Sequence, residues 1–368
     1  MSRTLARCLG WSAALLVASL NVGDGHAQRV AKYGADFLAG GVGARALGMG
    51  GAFVAVASDA NAGYWNPAGL MEADYPEVSY MHAERFSGIV SFDYAGVAWP
   101  LSDRSTLGVS FFRSGVNDIK NTLDAWDAER DAPRPNPEDY ITSFSAADYA
   151  FFFGYGRRIS DRLNIGLTAK IIRRTIGEFA DAWGYSFDAG VQYRSGRLLL
   201  GVNVQDLTTM LQSWSVDQES LANIRDVFGD ELPAGGTELV LPVLRLGSAY
   251  EWANTNGSFL VAFDVDVAFD GQQAQAINAG DASFHPRLGV EYAYRDVVAV
   301  RAGVSRFQHT RSDGWDVTPS IGAGFRIRGI HVDYGFGDFA GLVSDLGYSH
   351  RISLRLVIAR EELKRDGR

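Results

Sequence analysis

The chain has 368 residues and a formal net charge of -9, with 42 glycines against 10 prolines and 12% aromatic residues. This composition is neither disordered nor collagen-like, and the acidic balance argues against nucleic acid, which needs a basic face. The length exceeds an average domain, but all-β barrels run this long as one unit.

Residues 1–27 read as a secretory signal. Arg3 and Arg7 form its positive start, Leu9 to Leu20 an apolar run too short to span a bilayer, and Gly25-His26-Ala27 a small-residue cleavage site before Gln28. The single cysteine, Cys8, lies inside that signal and precedes the apolar run, which argues against a lipoprotein. No disulfide or thiol chemistry is then expected in the mature chain. No later stretch is long and apolar enough for a transmembrane helix. A soluble exported protein and a membrane barrel both remain open, because barrel strands give weak hydropathy.

Residues 28–75 are expected to form a plug. Gly40 to Ala57 is built from small residues suited to close packing, with a short helix from Ala44 onward and another turn capped by Asp59-Ala-Asn-Ala near Tyr64. Gly48, Gly50 and Gly51 lack the Lys-Ser/Thr and the strand-to-helix setting of a phosphate loop. Trp65-Asn66-Pro67-Ala68-Gly69 follows. Pro67 fixes φ and disfavours helix at Asn66, and Gly69 permits a positive φ. The stretch reads as a tight turn feeding the first strand, with a gating role as the sharper alternative.

From residue 76 to 358 the chain alternates apolar and polar residues with period two. Fourteen strands are expected: 77–85, 90–99, 105–113, 148–158, 162–174, 184–193, 198–205, 243–252, 257–268, 286–294, 297–307, 318–327, 330–337 and 346–358. The links after even-numbered strands are all short. The long ones, Ser114–Ala147, Asp206–Pro242 and Phe269–His285, all follow odd-numbered strands. A soluble sandwich has no reason to sort loops this way, whereas a transmembrane barrel does. Trp99, Tyr193, Trp252 and Tyr294 sit at strand ends on the short-turn side, as an interfacial girdle would. The fold class is therefore all-β, a 14-stranded antiparallel transmembrane β-barrel with an N-terminal hatch in its lumen.

The polar faces of the strands carry Lys170, Arg174, Arg245, Glu251, Asp264, Asp266, Arg287, Glu291, Arg301, Arg326, Asp333, Arg351 and Arg355. Inside a barrel such charges must be paired or hydrated. A structural network that seats the plug is the first reading, and a solute-selective path the second. The histidines show no HxH or HExxH spacing and no Gly-x-Ser-x-Gly elbow occurs, so neither a metal site, a cofactor nor an enzyme is expected. Loop 206–242 holds Leu207, Met210, Leu211, Trp214, Leu221, Ile224 and Phe228. Residues 217–228 have helical spacing, which suggests an apolar helix at the barrel mouth that closes it or receives a ligand or partner.

Two stretches carry a resemblance. Gly43-Ala-Arg-Ala-Leu-Gly-Met-Gly-Gly-Ala-Phe-Val-Ala with Asp59-Ala-Asn-Ala-Gly-Tyr-Trp-Asn-Pro-Ala-Gly-Leu resembles the N-terminal signature of the PorV/PorQ-like outer-membrane proteins. Asp345-Leu-Gly-Tyr-Ser-His-Arg-Ile-Ser-Leu is similar to that family's last strand. The family lies within the FadL-type superfamily of long-chain fatty-acid transporters. The resemblance implies a hatched 14-stranded barrel in the outer membrane, and a hatch whose Asn66-Pro67-Ala68 sits beside a kinked wall strand. It implies either a transport or type IX secretion-associated role, with secreted protein and secretion machinery as partners, or uptake of a hydrophobic ligand. The uptake alternative calls for an apolar pocket between hatch and outer loops and a kinked strand near Ser114–Val116. The charged tail after Ile358 departs from the aromatic terminus usual in such barrels.

Overall fold

The computed structural model describes residues 29–30, 36–85, 88–127, 130, 132–221, 235–269, 277–310, 314–337 and 349–359. The expected signal, Ile224, Phe228, residues 345–348 of the C-terminal motif and residues 360–368 lie outside the described residues.

Fourteen strands form one closed antiparallel barrel. They are β1 (Glu77–Arg85), β2 (Val90–Ser102), β3 (Ser105–Asn121), β4 (Thr142–Ser160), β5 (Leu163–Ile176), β6 (Ala180–Ser195) and β7 (Leu198–Gln205), then β8 (Val243–Asn254), β9 (Gly257–Ala268), β10 (Ala282–Tyr294), β11 (Val298–Thr310), β12 (Gly314–Ile327), β13 (Ile330–Gly337) and β14 (Ser349–Val357). Each pairs with its neighbours in sequence, and β14 closes on β1 from Glu77↔Val357 to Glu84↔His350. Closure leaves no free edge, which matters wherever no water is present to satisfy one. Every expected strand is present. The strands run further than expected on the long-loop side, because β3, β4 and β6 continue past the barrel wall as paired ribbons.

The two faces of each strand differ as the alternation requires. On β6, Tyr193, Val191, Phe187, Tyr185 and Trp183 point outward and are all more than a third exposed. At a rise of about 3.3 Å per residue and a tilt near 40°, that run spans about 25 Å, the height of the apolar band of a bilayer barrel. Trp99, Tyr193, Trp252 and Tyr294 point outward at the short-turn rim.

Residues 36–74 run inside the barrel. Their regular pieces are short: helical turns Asp36–Ala39, Ala44–Gly48 and Ala62–Trp65, and a 3-10 helix Pro67–Glu72. Asn66, extended at φ -165, caps the last of these by accepting a bond from the Ala68 N–H, and Pro67 opens it. The positive φ that Gly69 permits is not adopted. Glycine is needed there for proximity, because a Cβ would lie 2.2 Å from the Ala57 oxygen.

The helix expected over 217–228 lies largely outside the described residues, and of its described part 218–221 form a turn; the segments that flank it are strands that were not expected. Met210–Val216 and Gly236–Val240 form a hairpin, and its first strand continues the sheet on β6, from Leu211↔Tyr185 to Val216↔Ala180. Met210–Val216 alternates, and an available sheet edge rewards pairing. Arg29–Val30 then adds in parallel to Glu238–Leu239. The N-terminal end of the inner segment thus lies at the long-loop rim, and its C-terminal end enters β1 at the short-turn rim.

Candidate functional site

The inner segment meets the wall most closely at Asn66–Leu70. The Asn66 amide nitrogen donates to the carbonyls of Val54 (3.1 Å), Val191 (3.1 Å) and Val202 (3.4 Å). This one side chain therefore ties the segment to itself and to β6 and β7. The fit depends on inward-facing glycines. A Cβ on Gly166 would lie 2.3 Å from the Pro67 carbonyl carbon, and one on Gly190 would lie 2.1 Å from Asn66 Oδ1. Leu70 fills the space over Gly108 and Gly154. Thr168 Oγ1 donates to the Gly63 carbonyl, and Gln192 Nε2 to those of Val54 and Ala57.

On the opposite wall the segment is held by charge. Arg45 binds Glu291 through two bonds, Nε–Oε2 at 2.9 Å and Nη2–Oε1 at 2.8 Å. Arg301 also pairs with Glu291 and reaches Asp333 at 2.7 Å. Burial alone lowers the affinity of the Arg45 guanidinium for its proton, but the Glu291 carboxylate more than reverses this and holds the group above its usual range. Asp264 Oδ2 accepts from the N–H groups of Phe53 (2.7 Å) and Val54 (2.8 Å). Arg351 donates to the carbonyls of Gly40 (3.0 Å) and Gly41 (3.1 Å). Arg355 lies 3.6 Å from both Asp59 and Glu77. Arg245, beside Asp266, covers the rings of Tyr64 and Trp65 at 5.6 Å, while Arg287 pairs with Asp266 at 2.6 Å.

A separate buried cluster sits in the wall. Lys170 on β5 lies 2.9 Å from Asp188 on β6 and 2.6 Å from Asp206, and Ser186 donates to Asp206. Asp206 begins loop 206–242, so this cluster anchors the root of the outer hairpin. Higher still, Arg174 pairs with Asp148 at 2.6 Å and covers the rings of Phe37 (5.6 Å) and Trp214 (5.2 Å).

Around that point the long-loop end of the lumen is aromatic. Phe112 stands 6.1 Å from Phe37 and 5.8 Å from Phe92 between ring centres, and Phe152, Ile172 and Met210 are fully buried nearby in the same cluster. Just above, β3 breaks register. Val116 pairs with Ala146 and Ile119 with Phe144, so Asn117 and Asp118 together oppose a single residue, with Asp118 at φ 58. Beside this bulge an open cavity of about 470 Å³ is lined by Gly88, Ile89, Ser91, Gly115, Val116 and Ile119 among others.

Most of the lumen charges expected from the sequence come together as pairs. Glu251 pairs apart from the rest, at the short-turn rim, 3.6 Å from Arg194 and partly exposed. Of the loop residues, Met210 is fully buried, Leu207 is half exposed, and Leu211 and Trp214 are partly covered on the hairpin. Sequence reasoning missed Arg45, Asp59, Asp148, Asp188 and Asp206. Asp188 was accessible to it, since it alternates with Phe187 on a strand whose faces are otherwise clear. Asn66-Pro67-Ala68 does not sit beside the kinked strand. It rests on β5 and β6, whose mutual register is unbroken, while the bulge lies at the far end of β3. Among the described residues no group of three or more His, Cys, Asp or Glu side chains suits a metal.

No family model matches the chain, and no curated protein matches it. Solved structures do. The Pseudomonas putida toluene transporter TodX aligns at a TM-score of 0.53 and 13% identity, over 86% of this chain and 96% of its own. The Ralstonia pickettii toluene transporter TbuX aligns at 0.52 and 12% identity, over 87% and 99%. At such identities the likeness is one of fold: this chain has the closed barrel architecture found in those transporters.

Proposed function

We propose that the chain is an outer-membrane channel for hydrophobic small molecules, with residues 28–75 as its hatch. The observation that carries this reading is the aromatic cluster of Phe37, Phe92, Phe112 and Phe152 at the outer end of the hatch, directly below a bulge in the wall strand β3. An apolar solute collects in an apolar site with few polar groups, and a bulge is where a barrel wall departs from continuous pairing. The likeness in fold to two toluene transporters supports the same reading. In it the short-turn rim faces the periplasm. The solute enters between the outer hairpin and the bulge, and hatch rearrangement from the Arg174 and Asn66 contacts opens the way.

The test is accumulation of labelled toluene, and separately of a labelled long-chain fatty acid, by cells carrying the wild-type chain or a variant lacking Asn117 and Asp118. Loss of accumulation in a variant that keeps its heat-modifiable gel shift supports the channel. Unchanged accumulation of both solutes refutes it.

A second reading is a PorV/PorQ-type secretion scaffold. It is supported by the Gly43–Leu70 motif resemblance and by a lumen filled by the hatch, in which Tyr64, Phe53 and Leu70 are no more than 2% exposed. Co-purification of a secreted protein that survives loss of the β3 bulge favours that reading.

A further inference from the structure

The short-turn rim carries a concentration of arginine, most of which neither the hatch nor the lumen uses. Of the 34 basic residues in this acidic chain, 30 are arginine. Three neighbouring turns, β2–β3, β4–β5 and β6–β7, bring together Arg104, Arg157, Arg158, Arg162, Arg194 and Arg197. Backbone bonds hold these turns side by side, from the Arg158 N–H to the Arg104 carbonyl (3.0 Å) and from the Arg194 N–H to the Arg162 carbonyl (2.8 Å). The same turns contribute two carboxylates, Asp103 and Asp161. Arg158 donates to the Met71 carbonyl, and Arg194 pairs with Glu251. Arg104, Arg157, Arg162 and Arg197 are exposed, and their guanidinium groups have no partner among the described residues.

Their height matters. Arg157 follows Tyr155 on the outward face of β4, and Trp99 and Tyr193 stand outward on β2 and β6, two strands away on either side. Aromatic rings of this kind mark the boundary between hydrocarbon and headgroups. Guanidinium groups immediately beyond it lie at the level of lipid phosphates, which they bind through paired N–H donors. The outer loops have the opposite character. Loop 114–147 alone carries Asp118, Asp124, Asp127, Glu129, Asp131, Glu138 and Asp139 against Lys120, Arg130 and Arg134.

We propose that this arginine arc is a binding surface for the anionic phosphate headgroups of the inner leaflet, of phosphatidylglycerol type. It rests on the reading above that the short-turn rim is periplasmic. Clustered arginines next to an anionic surface each contribute about 1 kcal/mol. That corresponds to a preference of about fivefold for an anionic over a zwitterionic lipid at each site.

The experiment uses the full mature chain in nanodiscs of phosphatidylcholine with and without phosphatidylglycerol. Retained lipids are counted by native mass spectrometry, and the unfolding midpoint is read from heat-modifiable migration. The wild-type chain is expected to retain phosphatidylglycerol about fivefold over phosphatidylcholine and to unfold at a higher temperature when it is present. The variant R104Q/R157Q/R162Q/R197Q is expected to lose both effects, while the outer-loop variant R130Q/R134Q keeps them. Equal retention of the two lipids by the wild-type chain overturns the proposal and leaves the arc to an acidic periplasmic protein. Unchanged preference in the fourfold variant overturns it as well. If inorganic phosphate in pure phosphatidylcholine discs reproduces the midpoint shift, the surface binds a soluble anion and the lipid assignment falls. Absence of a heat-modifiable band in either lipid would instead overturn the membrane-barrel reading on which the proposal rests.

Discussion

Both sides of the lumen approach the inner segment through glycines, Gly289 and Gly303 against Met49 and Gly50 as much as Gly166 and Gly190 against Pro67 and Asn66, but one side adds a set of charged contacts. Along β3 to β7 the contact is made by shape and neutral hydrogen bonds: glycines at 108, 154, 166 and 190 receive Leu70, Pro67 and Asn66 at backbone distance. Along β9 to β14 it is made also by Asp264, Glu291, Arg351 and Arg355, which grip Phe53, Arg45, Gly40 and Asp59. A buried charge contact is costly to leave half made, whereas a neutral one is cheaper to break and re-form. Glycine thus sets how closely the segment fits on both sides, and the ion pairs of the β9–β14 side fix where it sits.

Breaking the charged side should have the largest effect. Glu291→Gln leaves Arg45 and Arg301 without their shared carboxylate, and a loss of about 3–5 kcal/mol is expected, measured by urea unfolding in lipid vesicles. Because the chain has no cysteine after Cys8, a cysteine placed at Ala57 in a Cys8→Ser background reports on seating of the segment. Maleimide should label it in the Glu291→Gln background and not in the parent. Lys170→Met offers a matched comparison within the glycine-lined wall. It strands Asp188 and Asp206, both buried, and should cost a similar amount. Yet it should leave the Ala57 position protected, because that cluster anchors the outer hairpin and not the inner segment.

The glycine side should respond to bulk. Gly166→Val drives its side chain into the Pro67–Ala68 peptide, and a loss of about 1–3 kcal/mol is expected. An accompanying rise in single-channel conductance in planar bilayers would show the segment lifted from its seat. Asn66→Ala removes the donor shared by three carbonyls, at about 1–3 kcal/mol for the buried acceptors left behind. A stability change in Asn66→Ala as large as that in Glu291→Gln would remove the distinction between the two walls. The smallest effect belongs to the outside. Arg173 and Asp181 pair at 2.6 Å in partial exposure, so Asp181→Asn should change stability by at most about 1 kcal/mol.

Much of the barrel was readable in advance because each strand states its two faces locally. The alternation in 257–268 and 198–205 gives their bounds to the residue. Loop parity supplied the rest, since short turns on one rim follow from antiparallel neighbours. The candidate site was less readable. Arg45 and Glu291 are 246 residues apart, and nothing near either one names the other. The strands Met210–Val216 and Gly236–Val240 were not legible, because the partner of the first, the outer end of β6, is supplied by tertiary structure. The bulge at Asn117–Asp118 was anticipated only as a kink near Ser114–Val116, since register is a property of a pair of strands and not of one.

The sequence by itself determined that there would be fourteen strands, which face of each is apolar, which rim has the short turns, and that a glycine-rich head too small-sided for a strand ladder would need enclosure. Those are local consequences of period-two alternation and of backbone freedom at glycine. Only the tertiary structure decided which wall adds charge to the close glycine fit, that Asn66-Pro67-Ala68 rests on β5 and β6 and not beside the bulge, and that the segment's outer end adds a strand to the hairpin of loop 206–242. Each of these depends on distant residues meeting once the barrel closes, a condition set by register and shear around the whole sheet.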